Sequence, residues 1–418
     1  MHCFQYKKNQ LYCENVRIQK IADECGTPLY IYSYHTLIDH FNKIKNAFKK
    51  IKPIICFAAK ANDNLAVLKS LIDQGAGCDI VSEGELRKAM KVNADPAKIV
   101  FASVGKTDQE IELALRTDIL FFNVESLPEL EQINRIAKSM KKRARAALRI
   151  NPDVDAATHQ RITTGTLKNK FGIDFSTARD ILRQRDCFSF VQINGLHIHI
   201  GSQITTLDPY IFSIKKVLKF LEELRSENID IEYFDLGGGF AINYKDSDAK
   251  TADEIAEAIV PLLQETGLKI ILEPGRFIAG NAGVFVTKVL YLKDNGFKKF
   301  LIVDGGMNDL IRPTLYDAYH EIVPVQRTTA ESVKVDVVGP ICESGDYFAK
   351  DRILQGMKKN EFMAIMSAGA YGYVMSSNYN VRGRPAEVMV KGNKFEVIKE
   401  RETFKDLIRG ERVPSFLS

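Results

Sequence analysis

The sequence predicts an α/β protein: a closed (β/α)8 barrel joined to a second, mostly β domain. Three observations predict it. Between about residues 54 and 273, eight short apolar, β-branched runs alternate with longer amphipathic stretches, the pattern of repeated βα units around a parallel sheet. After about residue 280 the rhythm changes to strand-rich segments. At 418 residues the chain also exceeds what one hydrophobic core usually serves.

Taken in order, the expected barrel strands are IICFAA (54–59), CDIVS (78–82), KIVFAS (98–103), DILFFNV (118–124), RAALRI (145–150), INGLHIHI (193–200), IEYFDLG (231–237) and KIILEPG (269–275). Between them lie segments such as LAVLKSLIDQG (65–75), with apolar residues at helical spacing and a glycine at the end. Periodicity alone also admits an open doubly wound sheet, but eight strands with crossover helices favour closure. Beyond residue 280, VFVTKVLYLKD, KKFLIVDGG, VKVDVVGP and PAEVMVKGNKFEVIKE read as strands, the last holding a hairpin with a Gly-Asn turn. The expected division is residues 27–278 for the barrel and 1–26 with 279–418 for the β-rich domain.

Composition excludes several classes. No apolar run of about 18 residues is present to span a bilayer, so no membrane role is expected. The segment MHCFQYKKNQLY lacks the apolar core of a secretory signal, which makes the cytoplasm the expected location. Seven dispersed cysteines without CxxC spacing indicate neither a disulfide framework nor structural zinc. The net charge of +5 comes from 58 basic and 53 acidic residues that are interspersed, so no nucleic-acid partner is expected; the basic cluster at Lys141 to Arg145 reads as a solvated helix end.

In a barrel, chemistry collects where the strands end, because the βα loops converge there. Lys60 follows the apolar run IICFAA, where burial would strip an ammonium of hydration and favour an amine able to form an imine. By itself a lysine at a strand end is more often snorkelling or ion-paired. LGGGF (236–240) places Gly237, Gly238 and Gly239 after a strand, leaving backbone N–H groups that can approach a phosphate. EPGR sets a second glycine turn, Pro274 and Gly275, between the carboxylate of Glu273 and the guanidinium of Arg276. A plain tight turn explains a glycine run equally well, and neither the P-loop nor the dinucleotide fingerprint is present. His197 and His199 alternate in HIHIGSQ and are expected on one side of their strand. No further ligand lies at metal spacing, so no metal is expected; stacking on a flat cofactor suits His199 better, and Ser202 is placed to bond phosphate.

The ordered series FAAKAN, CDIVSEGEL, KNKFGI, HIHIGSQ, GGGF, EPGR, MNDLIRPTLYDAYH, GPICESGD and GAYGYVMSSNYNVRGRP resembles that of the diaminopimelate decarboxylase family, from about residue 27 to 390. The resemblance implies the alanine-racemase-like barrel plus β domain of fold type III enzymes, pyridoxal 5'-phosphate as cofactor, and a cytoplasmic homodimer with shared active sites. It further implies decarboxylation of meso-2,6-diaminopimelate to L-lysine and CO2, the last step of lysine biosynthesis. Residue by residue, it implies that Lys60 carries the cofactor and that Glu273 pairs with the pyridine nitrogen. His199 stacks on the ring, while Ser202, Gly238, Gly239, Pro274, Gly275 and Arg276 surround the phosphate. Arg276, Arg312 and Tyr316 match the residues that grip the distal carboxylate, Glu343 the one that reads the distal ammonium, and Tyr371 a contact to both cofactor and substrate. Cys342 matches the proton donor, and Asp79 is implied to lie near His199. The run GGGFAI departs from the commoner pattern at Ala241, which adds a methyl group.

Other readings remain open on the sequence. Another basic-amino-acid decarboxylase of the same fold, acting on ornithine, arginine, lysine or carboxynorspermidine, would share Lys60 and the glycine run but would not need Arg312 and Tyr316 for a carboxylate. A non-catalytic cofactor-binding homologue would have no reason to keep Lys60, Cys342, Glu343 and both arginines together.

Overall fold

The structure, a computed structural model, describes residues 2–154, 164–165, 169–245 and 249–417. The chain divides into two units, residues 37–278 and residues 1–36 with 279–418.

The first unit is a closed parallel barrel whose eight strands neighbour one another in chain order. They are β1 (Ile54–Ala58), β2 (Gly77–Ile80), β3 (Ile99–Ala102), β4 (Phe121–Val124), β5 (Ala144–Arg149), β6 (Val191–His197), β7 (Tyr233–Asp235) and β8 (Lys269–Leu272). β8 pairs with β1 through Ile271 and Ile54, which closes the ring. The expected strands all form, though most are shorter than their apolar runs. β2, β3 and β4 are buried along their whole length, as strands must be when side chains fill the barrel on one face and helices cover the other. Cys56, Val100, Phe121, Ala147 and Ile271 pack into one interior cluster, drawing on five different strands.

Polar residues between the barrel strands start most of the helices. Asn64, Ser82, Thr107, Ser126, Asp174 and Thr251 each accept a backbone N–H of the helix that follows, and Thr107 and Thr251 form reciprocal capping boxes with Glu110 and Glu254. After β4, one residue separates Val124 from the capping Ser126. Such short turns leave little room for side chains to wander, so residues at strand ends are held by rigid elements on both sides.

The second unit is built on a mixed sheet. Gly283–Asp294 is its long central strand, flanked by Leu29–Ser33 and Lys299–Val303. Ala386–Lys391 and Lys394–Lys399 form the expected hairpin, with Gly392 at φ +64° in the two-residue turn. Four strands escaped the sequence reading here: Leu29–Ser33, Ile322–Pro324, Tyr347–Gln355 and Phe362–Ile365. In Tyr347–Gln355 the run Lys350, Asp351, Arg352 breaks the apolar alternation, and Asp351 sits at φ +50° beside a shift in register. An amino-terminal sheet of Phe4–Lys7, Gln10–Cys13 and Val16–Arg17 was also not foreseen, being made of runs too short to show a period.

Candidate active site

Lys60 lies in a single 3-10 turn, Ala59–Ala61, directly after β1. Its ammonium pairs with the carboxylate of Asp79, which sits on β2 opposite Ala58 and is fully buried. Burial is the main cause pushing the Asp79 carboxyl up, to about 7; the Glu273 charge adds to it and Lys60 opposes. Lys60 thus places a cation between the buried carboxyls of Asp79 and Glu273, both of which respond to its charge.

Glu273 follows β8 and turns into that interior. Asn123 on β4 donates from Nδ2 to its Oε1 at 3.2 Å, and His197 Nε2 stands 3.4 Å from its Oε2. Burial by itself would raise the Glu273 carboxyl, but His197 and Lys60 outweigh it and hold the group well below the usual carboxylate range. Asp235 on β7 takes the opposite course: burial first, then the Glu273 charge, pushes it well above that range. The two neighbouring carboxyls are thus driven in opposite directions. His197, Asp235 and Glu273 are the one group of three metal-capable side chains among the described residues, with one atom of each within 4.8 Å of the others.

His199 lies two residues beyond the end of β6, not within the strand as expected. The ladder to both neighbours stops at His197, opposite Arg149 and Asp235. His197 consequently faces the sealed barrel interior, whereas His199 stands in the loop above it. The Nδ1 of His199 accepts the Gly238 N–H at 3.2 Å, so that nitrogen carries no proton. Burial chiefly, and the Arg149 guanidinium next, lower its pKa from 6.5 to about 3, leaving a neutral ring.

The glycine run is tighter than the sequence reading allowed. Instead of three bare N–H groups, the turn folds two back into the protein: Gly237 donates to Asp235 Oδ1 at 2.9 Å and Gly238 to His199 Nδ1. A Cβ at Gly239, where φ is +96°, would lie 2.7 Å from the Gly201 carbonyl and 2.9 Å from the Tyr210 hydroxyl. Gly275 lies as close to Ala61 and Ala58, where a Cβ would stand 2.9 and 3.0 Å from theirs. Arg276, in the turn after Pro274, donates to Ser202 Oγ at 3.0 Å and to the Tyr244 hydroxyl at 2.7 Å, so two residues expected around the phosphate meet. Ala241 is buried.

The described barrel residues fit a flat, phosphorylated pyridine. They offer an amine at Lys60, an ionised carboxylate at Glu273, a neutral ring at His199 and a guanidinium with two hydroxyls around Arg276. The cradle at Gly239 and Gly275 leaves no room for a side chain. Asn123, His197, Asp235 and Tyr244 were not picked out as parts of this site. For Asn123 and Asp235 a signal existed, since each is a lone polar residue in an apolar barrel strand. Asp79, expected near His199, is held by Lys60. Lys168 of the KNKFGI motif lies outside the described residues.

The remaining candidates belong to the second unit. Arg312 opens the short helix Arg312–Tyr316, is buried, and lies with its Nη1 3.1 Å from His320 Nε2; Tyr316 closes the same helix, half-buried. Cys342 is exposed, its N–H donating to Asn380 Oδ1 at 2.9 Å. Glu343 Oε1 accepts the Gly345 N–H at 3.2 Å, which ties the Cys342–Glu343 turn. Tyr371 sits at φ +56°, an uncommon backbone state for an aromatic residue.

Residues 34–280 match the family described as "Pyridoxal-dependent decarboxylase, pyridoxal binding domain". The chain is 45% identical to the diaminopimelate decarboxylase of Aquifex aeolicus over 97% of its own length and 96% of that protein's. Among solved structures it is similar to the diaminopimelate decarboxylase of Helicobacter pylori in complex with L-lysine, with 42% identity, a TM-score of 0.90, and 94% and 98% of the two chains covered. It is also similar to that of M. jannaschii in co-complex with L-lysine, with 38% identity, a TM-score of 0.95, and 99% of each chain covered. Near-complete coverage at this identity decides what the motif series suggested: the chain belongs to the diaminopimelate decarboxylase family of pyridoxal-dependent decarboxylases.

Proposed function

We propose that this chain is a pyridoxal-phosphate-dependent carboxy-lyase that converts meso-2,6-diaminopimelate to L-lysine and CO2, as the last step of lysine biosynthesis. The observation that carries the reading is the full-length likeness to diaminopimelate decarboxylases together with Lys60, Asp79 and Glu273 converging at the strand ends of one barrel. When bound, pyridoxal 5'-phosphate supplies an electron sink for the pair left behind as CO2 departs.

The chain's own residues hold and tune that group. Lys60 Nζ is the point of attachment, and Asp79 keeps it charged and in place until then. Glu273, held well below the usual carboxylate range, would pair with the pyridine nitrogen and favour its protonated form, since an adjacent anion stabilises a cation. His199, whose ring is neutral, would stack on the cofactor without adding positive charge. Gly239, Gly275, Ser202 and Arg276 take the phosphate, with Tyr244 steadying the guanidinium. Arg312 and Tyr316 receive the distal carboxylate, for which a planar guanidinium is suited, Glu343 receives the distal ammonium, and Tyr371 touches both ligands. The Cys342 thiol returns a proton to the carbon that lost CO2. In this reading the enzyme is a cytoplasmic homodimer, each site completed by the partner subunit.

The test is product identity. Purified protein with pyridoxal phosphate should form lysine and CO2 in equal amounts from meso-diaminopimelate and leave ornithine, arginine and lysine unchanged. Turnover of ornithine or arginine alone would overturn the substrate assignment while keeping the barrel chemistry.

A further inference from the structure

His197 has no task in the reading above, yet it occupies one of the least accessible positions in the barrel. It ends β6 with 1% of its surface exposed, and neither ring nitrogen completes a hydrogen bond among the described residues. Burying a polar group without a partner costs about 1–3 kcal/mol, and an apolar residue like its neighbour Leu196 would fill the space without that cost. The surroundings explain the choice. Asp235 stands opposite it in the ladder, and Glu273 presents Oε2 at 3.4 Å from its Nε2. Asn123 meanwhile holds the other oxygen, Oε1, at 3.2 Å.

We propose that His197 is a positioning residue for Glu273: from β6 its Nε2–H faces one carboxylate oxygen while Asn123 on β4 holds the other, fixing the plane of the carboxylate that meets the pyridine nitrogen. The proposal rests on the reading of Glu273 as that partner. A carboxylate bonded at one oxygen by Asn123 and faced at the other by His197, from two rigid strands, is kept from swinging toward Lys60 or Asp79, whose charges also act on it. The neighbouring Asp235 is accommodated because burial and the Glu273 charge favour its acid form. Its Oδ1 accepts the Gly237 N–H, while its Oδ2 is buried and completes no hydrogen bond among the described residues. Through Glu273, His197 governs how firmly the ring nitrogen stays protonated.

The experiment uses holoenzyme reconstituted with cofactor labelled with 15N at the ring nitrogen, whose NMR shift reports protonation. Glu273→Gln should move the signal toward the unprotonated position. His197→Leu, which keeps bulk but loses the donor, should move it the same way and weaken cofactor retention about tenfold, the effect of one hydrogen bond to a charged group. His197→Gln, which returns an N–H at similar reach, should restore both. A folded His197→Leu holoenzyme with wild-type ring shift and retention overturns the inference alone. An unmoved signal in Glu273→Gln overturns the Glu273 reading, and the inference with it. Should His197→Leu fail to fold, 15N-histidine labelling of the wild-type holoenzyme decides: a protonated Nε2 whose signal moves in Glu273→Gln supports the proposal, and an unprotonated or unmoved Nε2 overturns it.

Discussion

Substituting alanine at three barrel glycines separates backbone strain from steric overlap. Gly267 has φ +75° and nothing within 4 Å of a built Cβ, so Gly267→Ala carries only the cost of a left-handed backbone, about 1–2 kcal/mol. Gly238 has no such φ, but its Cβ would overlap the carbonyl oxygen of Glu273. Both atoms belong to the backbone of a closed barrel and neither can rotate away, so Gly238→Ala should cost about 3 kcal/mol, the upper part of the overpacking range. Gly239→Ala combines φ +96° with contacts of 2.7 Å to the Gly201 carbonyl and 2.8 Å to Ile204 Cδ1. It should be the most damaging, at about 3–5 kcal/mol. All three glycines lie in the same unit, so urea unfolding of the cofactor-free protein compares them in one transition. The chain has no Trp, which makes far-ultraviolet circular dichroism the natural probe. Gly238→Ala should also weaken cofactor binding, because the displaced carbonyl belongs to the residue that carries the ring partner. A Gly238→Ala protein as stable as Gly267→Ala would refute the close approach of the β7 and β8 loops on which the site depends.

Three further outcomes are expected. Because the His199 pKa in the folded chain is about 3 against an ordinary 6.5, the unfolded chain takes up the proton first, and stability falls as pH drops from 6.5 toward 3. His199→Phe removes that loss, so unfolding midpoints measured at pH 7 and pH 5 should shift relative to wild type in the variant's favour at pH 5; a difference that does not change with pH would contradict the buried neutral ring. Cys342→Ala should keep its cofactor, as judged by absorbance, while kcat falls about 10²- to 10⁴-fold, the usual contribution of a positioned proton donor; wild-type turnover would remove the thiol from that role. Arg312→Lys should raise KM for diaminopimelate about 10- to 100-fold with little change in cofactor affinity, since an ammonium cannot reproduce a planar two-point grip; an unchanged KM would place the distal carboxylate elsewhere.

The barrel was legible because its strands are apolar runs and six of the eight are followed by a helix with a side-chain cap, a signal that is local and repeated. Lys60, Glu273 and the glycines were legible for the same reason: they sit where those runs stop. The grouping of His197 with Asp235 and Glu273 was not, because these residues lie in or just after three different strands and meet only when β6, β7 and β8 lie side by side. Nor could the sequence tell that His197 and His199 part company, since the point where β6 stops is set by the ladders to β5 and β7 and not by its own alternation. Tyr244 was hidden in a loop, and only its hydroxyl at 2.7 Å from Arg276 gives it a place in the site. In the second unit, Tyr347–Gln355 was missed because charged residues interrupt it, although its neighbours supply the pairing that makes it a strand.

Lys60, at the exit of the first barrel strand, is the attachment point on which the proposed chemistry depends. Borohydride reduction of the holoenzyme, followed by proteolysis and mass spectrometry, tests that most directly, because reduction fixes the cofactor carbon permanently to the lysine that held it. The account predicts the label on the peptide containing Lys60 and its absence from a Lys60→Ala protein. A label on a different lysine, or a Lys60→Ala protein that still decarboxylates diaminopimelate at the wild-type rate, would contradict it.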